Sequence, residues 1–306
     1  MTLTDLYQTL RRKGFRICFQ ELLKRVWPIY WTRNASIITQ ILQERHYNSL
    51  KRKYNKLAAE PIKDETAEEP TKIIWICWLQ GLEAAPALVK HCYSSVRQYC
   101  ADYEVRLITN DNLLTYIHLP EYIVSKYHEG KISFTHFSDI LRTCLCLEYG
   151  GVWLDATVLL TAPINPIMLN SPLFMFRKSW LQNSPSAISS WFIVARKGHP
   201  VLQKTRDLLF EYWREHNSLN DYYLFHLCLT LAINENALLK ELFNRMPYFN
   251  NAAPHSLQFN LQAEFDKEQY DCITQQSSIH KLTYKNPPIV AITAKGQSFL
   301  DYILNS

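Results

Sequence analysis

The stretch FSDILRTCLCLEYGGVWLDATVLL, residues 137–160, constrains this chain more than any other. Phe137, Ile140, Leu141, Cys144 and Leu145 recur at helical spacing, so a helix is expected from Ser133 to Glu148. Gly150 can take the left-handed conformation that stops such a helix. Val152, Trp153 and Leu154 then read as a buried strand that runs straight into Asp155. A bare carboxylate at a buried strand end is costly unless a cation or hydrogen bonds offset it. Asp155 therefore requires a partner, and a divalent metal is one candidate. Asp139 and Arg142 sit at i and i+3 on one helix face. Alone they are an ordinary intrahelical ion pair, worth about 0.2–0.5 kcal/mol.

The residues before this stretch set its context. KIIWICWL is a short, nearly continuous apolar run, as expected for a strand buried on both faces. A helix-like segment from Ala87 to Tyr99 follows, then YEVRLIT as a second strand. Strand, helix, strand is the opening of an α/β domain with parallel strands, whose ligands bind beyond the carboxyl ends of those strands. Ahead of it, EPIKDETAEEP is acidic and bounded by prolines, so it reads as a linker. The expected organisation is a basic helical N-terminal segment (1–60), a linker (61–70) and an α/β domain (71–306).

Composition narrows the classes. A chain of 306 residues, 47% of them hydrophobic, can bury a sizeable core. Its eight cysteines show no C-x-x-C pair and no signal peptide is read ahead of them, so reduced thiols in the cytoplasm are expected. Apolar runs such as 73–79 and 227–233 fall far short of the roughly 18–20 residues that span a bilayer. Charge is uneven: residues 1–60 carry twelve Lys/Arg against four Asp/Glu, while the remainder is slightly acidic. In that segment Leu6, Leu10, Phe15, Leu22 and Trp27 interleave with Arg11, Arg12, Lys13, Lys24 and Arg25. Such a helix suits an anionic membrane interface; a solvated hairpin packed on the body is the alternative. The acidic body argues against nucleic acid, and no G-x-G-x-x-G follows the first strand, which argues against a Rossmann dehydrogenase.

The quoted stretch resembles the core motif of the capsular polysaccharide synthesis proteins, bacterial glycosyltransferases similar to the family 32 α-mannosyltransferases and, more distantly, to the glucosyltransferase domains of large clostridial toxins. The shared features are a helix with Ser/Ala-Asp-x-x-Arg, a Gly-Gly stop and a strand ending in Asp-x-Asp or a variant. The resemblance runs from KIIWICWLQG to SSIHKLTYK, roughly residues 70–285. It implies a GT-A-like (Rossmann-like) α/β fold: a mixed, mostly parallel sheet flanked by helices, with an N-terminal helical extension. It also implies that Asp155 helps hold Mn²⁺ or Mg²⁺ on a sugar-nucleotide diphosphate, with Thr157 standing where many relatives have the second aspartate. His280 is then a third metal ligand and Lys281 a phosphate partner, while Asp139 and Arg142 bind the donor sugar. Trp75 takes the position near the nucleotide base, with Trp78 the poorer candidate and core packing the rival reading. Asp221 is a candidate base near the acceptor hydroxyl, or else a helix-start residue satisfying free amides.

The implied activity is metal-dependent transfer of a hexose from a nucleotide-diphosphate sugar, preferably a UDP-sugar, to a growing surface polysaccharide. Retention is implied by the resemblance, although no nucleophile can be picked from spacing. The acceptor is expected to be lipid-linked and the enzyme cytoplasmic, peripheral on the inner face of the cytoplasmic membrane. A degenerate carbohydrate- or nucleotide-sugar-binding protein is the rival, with Thr157 as its support.

Overall fold

The apolar run after the acidic stretch forms β1 (Ile73–Cys77) in a computed structural model, which describes residues 28–178, 188–285 and 296–306, with side chains from residue 39 onward. β1 lies between β2 (Glu104–Ile108) and β3 (Gly151–Asp155), both parallel to it. Beyond β3, β6 (Ile188–Ala195) pairs antiparallel with β3, and β5 (Leu173–Arg177) antiparallel with β6. All strands of this five-stranded sheet except β6 thus run the same way. A separate two-stranded ribbon, β4 (Val158–Leu160) with β7 (Ile279–Lys281), follows the end of β3. The helices are α1 (Pro28–Ala59), α2 (Ala87–Tyr99), α3 (Leu113–Tyr116), α4 (Glu121–His128), α5 (Phe134–Glu148), α6 (Pro166–Leu169), α7 (Pro200–Glu215), α8 (Leu224–Glu235), α9 (Ala237–Arg245), α10 (Ala252–Asn260), α11 (Lys267–Gln276) and α12 (Phe299–Asn305). The mixed, mostly parallel sheet with flanking helices is the architecture expected from the sequence.

Alternation along the strands sorts side chains into two layers. Trp75 and Trp153, neighbours in register, share one core with Phe137, Ile140 and Leu141 of α5 and Trp213 of α7. Ile74, Ile76, Val152 and Leu154 join Phe174 and Phe192 in the other. Each such side chain contributes about 1.5–3 kcal/mol on full burial, which pins α5 to the sheet. The Gly-Gly stop has a steric cause. Gly150 and Gly151 have φ of +73° and +97°, and a Cβ on Gly151 would lie 2.4 Å from the carbonyl oxygen of Ile73. Only glycine lets the chain turn this close to β1, and the turn sets Asp155 level with Cys77.

The N-terminal segment is less separate than its charge suggests. Leu50, Tyr54 and Ala58 of α1, spaced i, i+4 and i+8, are buried in the same core as Trp75. The Tyr54 hydroxyl donates to Glu215 Oε2 at 2.5 Å, and Lys204 Nζ donates to the Leu57 carbonyl at 2.9 Å. The end of α1 therefore seals α7 and α8. A chain starting at Pro70 is expected to be insoluble or to melt far below the full chain, because losing Leu50 and Tyr54 alone removes about 3–6 kcal/mol from a total of roughly 5–15. An unchanged melting temperature in calorimetry would refute this. The basic tract from Leu6 to Trp27, proposed to meet membrane, lies outside the described residues.

Candidate active site

Asp155 ends β3 at the carboxyl edge of the sheet, where its side chain keeps 25% exposure and so remains reachable. Its Oδ1 accepts from Trp153 Nε1 at 3.0 Å and lies 3.3 Å from Arg142 Nη2. Its Oδ2 lies 3.3 Å from Lys281 Nζ. Burial alone would raise the pKa of this carboxyl, but the Arg142 and Lys281 charges outweigh it and hold the group below the usual carboxylate range. The partner that the sequence demanded is thus supplied by two side chains.

Arg142 is buried, and its guanidinium is held from several sides. Nη1 donates to the Ser190 carbonyl at 2.5 Å, Nε to the Ser138 carbonyl at 3.3 Å, and the group stacks over Trp153 with 5.1 Å to the ring centroid. Burial works against its charge, but Asp155 and then Asp139 restore it and raise the pKa. Asp139 is buried too, 3.4 Å from Arg142 Nη2 and 3.4 Å from His136 Nδ1. His136 Nε2 accepts from Trp213 Nε1 at 2.8 Å, so its proton sits on Nδ1, facing Asp139. Both contacts to Asp139 are long, and Asp139, expected to bind the donor sugar, is buried behind Arg142 and is not among the side chains that line the cleft. This is more than an ion pair within one helix: α5 carries a chain of charge that ends on the strand residue Asp155.

The ribbon supplies the second cation. Val158 pairs with Lys281, whose Nζ donates to Thr157 Oγ1 at 2.5 Å as well as approaching Asp155. The preceding residue faces the other way, as alternation requires. His280 is fully buried with Nε2 3.1 Å from Thr161 Oγ1, and burial pushes its pKa down to about 4. The structure separates His280 from the Asp155 cluster in which it was expected. Asp221 is likewise elsewhere: its Oδ1 accepts from the Tyr223 amide at 2.8 Å and its Oδ2 meets His46 Nδ1 of α1 at 2.5 Å. The amide-satisfying reading holds for it. Trp75 is fully buried, donates to the Gly150 carbonyl at 2.9 Å and packs on Tyr116 and Tyr149. It belongs to the core.

Arg142, Asp155, Thr157 and Lys281 line an open cleft of about 880 Å³. Trp78, just past the end of β1, lines it instead of Trp75 and meets Tyr284 edge-on at 5.5 Å. From sequence Trp78 ranked below Trp75; its position beyond the end of a parallel strand is the signal that could have reversed that order. Tyr222, 60% exposed, reaches the cleft in place of its neighbour Asp221. His255 and Gln258 of α10 also line it, and no motif in the sequence marks them. Among the described residues, no group of three or more His, Cys, Asp or Glu side chains is placed to hold a metal ion. The oxygen donors expected to hold a metal, Asp155 and Thr157, both face Lys281 here, and Asp155 also faces Arg142; they are the oxygen types a hard cation takes.

The fold is thus a mixed sheet with a cation-ringed carboxylate at the mouth of its cleft. The chain belongs to the capsular polysaccharide synthesis proteins, whose family model matches residues 25–303. A curated relative, "Subversion of eukaryotic traffic protein A" of Legionella pneumophila, is 24% identical over 123 residues, 37% of this chain. The chain spans only 19% of that protein's length. Two solved structures are loosely similar. The PaToxG glycosyltransferase has 16% identity and a TM-score of 0.40, covering 68% of this chain and 83% of its own. A transferase mutant with two cysteines replaced by serine has 13% identity and a TM-score of 0.36, covering 63% and 96%.

Proposed function

We propose that this protein transfers a hexosyl group from a nucleoside diphosphate sugar, preferably a uridine one, to a growing capsular or related surface saccharide. The observation that carries the reading is Asp155 held between Arg142 and Lys281 at the mouth of the 880 Å³ cleft. Lys281 meets the diphosphate and offsets the charge that builds as it leaves. Arg142 donates to sugar and phosphate oxygens, and Asp139, buried behind it at 3.4 Å, holds the guanidinium for that task. The nucleoside lies toward a neighbouring cleft of about 610 Å³ that shares Phe134 and is walled by Tyr127 and Phe137, stacked at 3.8 Å. Asp155 and Thr157 would hold Mn²⁺ or Mg²⁺, which supplies Lewis-acid stabilisation of the leaving diphosphate when bound. Retention of anomeric configuration belongs to the same proposal, to be read from the product by NMR.

A lipid-linked acceptor and peripheral placement at the inner face of the cytoplasmic membrane draw support from the basic residues 1–60. No helix among the described residues is long and apolar enough to cross a membrane. A thermal-shift panel of sugar nucleotides, with and without Mn²⁺, tests the reading. One UDP-sugar at about 100 times its Kd should add about 2.7 kcal/mol of stability, with a larger shift when metal is present. Nucleoside diphosphate should also be released. Binding without any turnover would instead favour the degenerate binding protein, for which Thr157 is the support.

A further inference from the structure

We infer that α10 forms the acceptor wall of the Asp155 cleft and that His255 Nε2 receives the hydrogen bond, and then the proton, of the attacking hydroxyl. The inference rests on the transferase reading above. His255 Nδ1 lies 2.7 Å from the Asn251 carbonyl oxygen, which can only accept. Nδ1 therefore carries the ring proton and Nε2 keeps its lone pair. The ring is fixed: it meets Trp191 of β6 edge-on at 5.6 Å, and Trp191 stacks on Phe176 at 4.8 Å. Asn251 is anchored as well, its Nδ2 donating to Ser189 Oγ at 2.9 Å and its backbone amide to the Arg177 carbonyl at 3.0 Å.

Burial lowers the pKa of His255; the Asn251 carbonyl opposes this and the Lys281 charge adds to it, so the ring is neutral at pH 7. Lys281 is the charged group that faces it among the described residues, Trp191 and the Asn251 carbonyl being neutral. α10 packs against β7, which carries Lys281. A hydroxyl bound at His255 thus stands beside the leaving diphosphate, the side from which a retaining attack must come. Gln258, three residues on along α10, lines the same wall and can bind a second acceptor hydroxyl. α5 supplies Thr135, Ser138 and Arg142 to the same cleft as the donor side of the proposal, and no donor role occupies His255.

In the step itself, the acceptor oxygen bonds to the anomeric carbon. The bond from that carbon to the diphosphate oxygen breaks, and its electron pair leaves on the diphosphate. The hydroxyl proton goes to His255 Nε2 and then to solvent.

The test uses the sugar nucleotide that gives the largest thermal shift, with water as acceptor, so that no saccharide need be known. His255→Phe should lower kcat for nucleoside diphosphate release about 100-fold. Donor KM and calorimetric UDP affinity should stay near wild type. His255→Gln, whose Oε1 can accept a hydrogen bond but not hold a proton, should recover part of the loss. It should also lack the fall in kcat at acid pH that the wild type shows as His255 protonates. Should the Phe variant fail to fold, the Gln variant decides alone, by lowered kcat and a missing acid limb. Unchanged kcat, or a loss of UDP affinity equal to the loss of kcat, overturns the inference while leaving the transferase reading intact. A wild type that turns over no sugar nucleotide overturns both.

Discussion

Asp155→Asn is expected to cut kcat/KM at least about 10³-fold, roughly 4 kcal/mol of transition-state stabilisation, while the chain still folds. Asparagine keeps the shape of the side chain and can still accept from Trp153 Nε1. It removes the charge that holds Arg142 and Lys281 at the strand end. Without it both cations lose the partner that holds them at the cleft. Breaking a fully buried pair costs about 3–5 kcal/mol of stability, but Asp155 is part-exposed, so the cost should be smaller. Arg142 also retains Asp139 and the Ser190 carbonyl, and Lys281 retains Thr157. Steady-state kinetics at saturating donor, paired with calorimetric melting, separates the two effects. Near wild-type turnover would remove Asp155 from the site.

The second large effect is expected at Arg142, where even lysine should lower kcat/KM about 10²-fold, close to 3 kcal/mol. A guanidinium reaches the Ser190 carbonyl, the Ser138 carbonyl, Asp139 and Asp155 from one planar group. An ammonium is a point charge and can satisfy only part of that set. On the proposed role of Arg142 toward sugar and phosphate oxygens, the donor KM should rise together with a fall in kcat. Activity unchanged in Arg142→Lys, with only the melting temperature lowered, would reduce the Asp139–Arg142 pair to a structural link. The two substitutions act within one network, so their combined effect should fall short of the sum of the single losses.

Much of the fold was legible because it is written in local periodicity. The apolar spacing from Phe137 to Leu145, the two glycines and the run into Asp155 define helix, stop and strand within one short stretch, and the structure has α5, a positive-φ turn and β3 there. The need of Asp155 for a cation was equally legible, since a carboxylate at a buried strand end is costly wherever the strand lies. Which cation meets it was not legible. Lys281 arrives through the pairing of β7 with β4, and a slip of one residue in that register would present His280 in its place.

The same physics divides the other candidates. Neighbours in a strand or turn face opposite ways, and the side that becomes cleft or core is set by elements distant in sequence. Trp75 went to the core while Trp78 lines the cleft, and Asp221 turned to His46 while Tyr222 reached the site. His255 has no sequence signature because its place in the cleft depends on α10 lying against β7. The burial of Leu50 and Tyr54 of α1 was also hidden, since charge counts record composition and not the face a helix buries. By itself the sequence determined which elements form and which residue needs a partner. Tertiary structure alone decided the partners, because register and helix docking are long-range choices that no local spacing encodes.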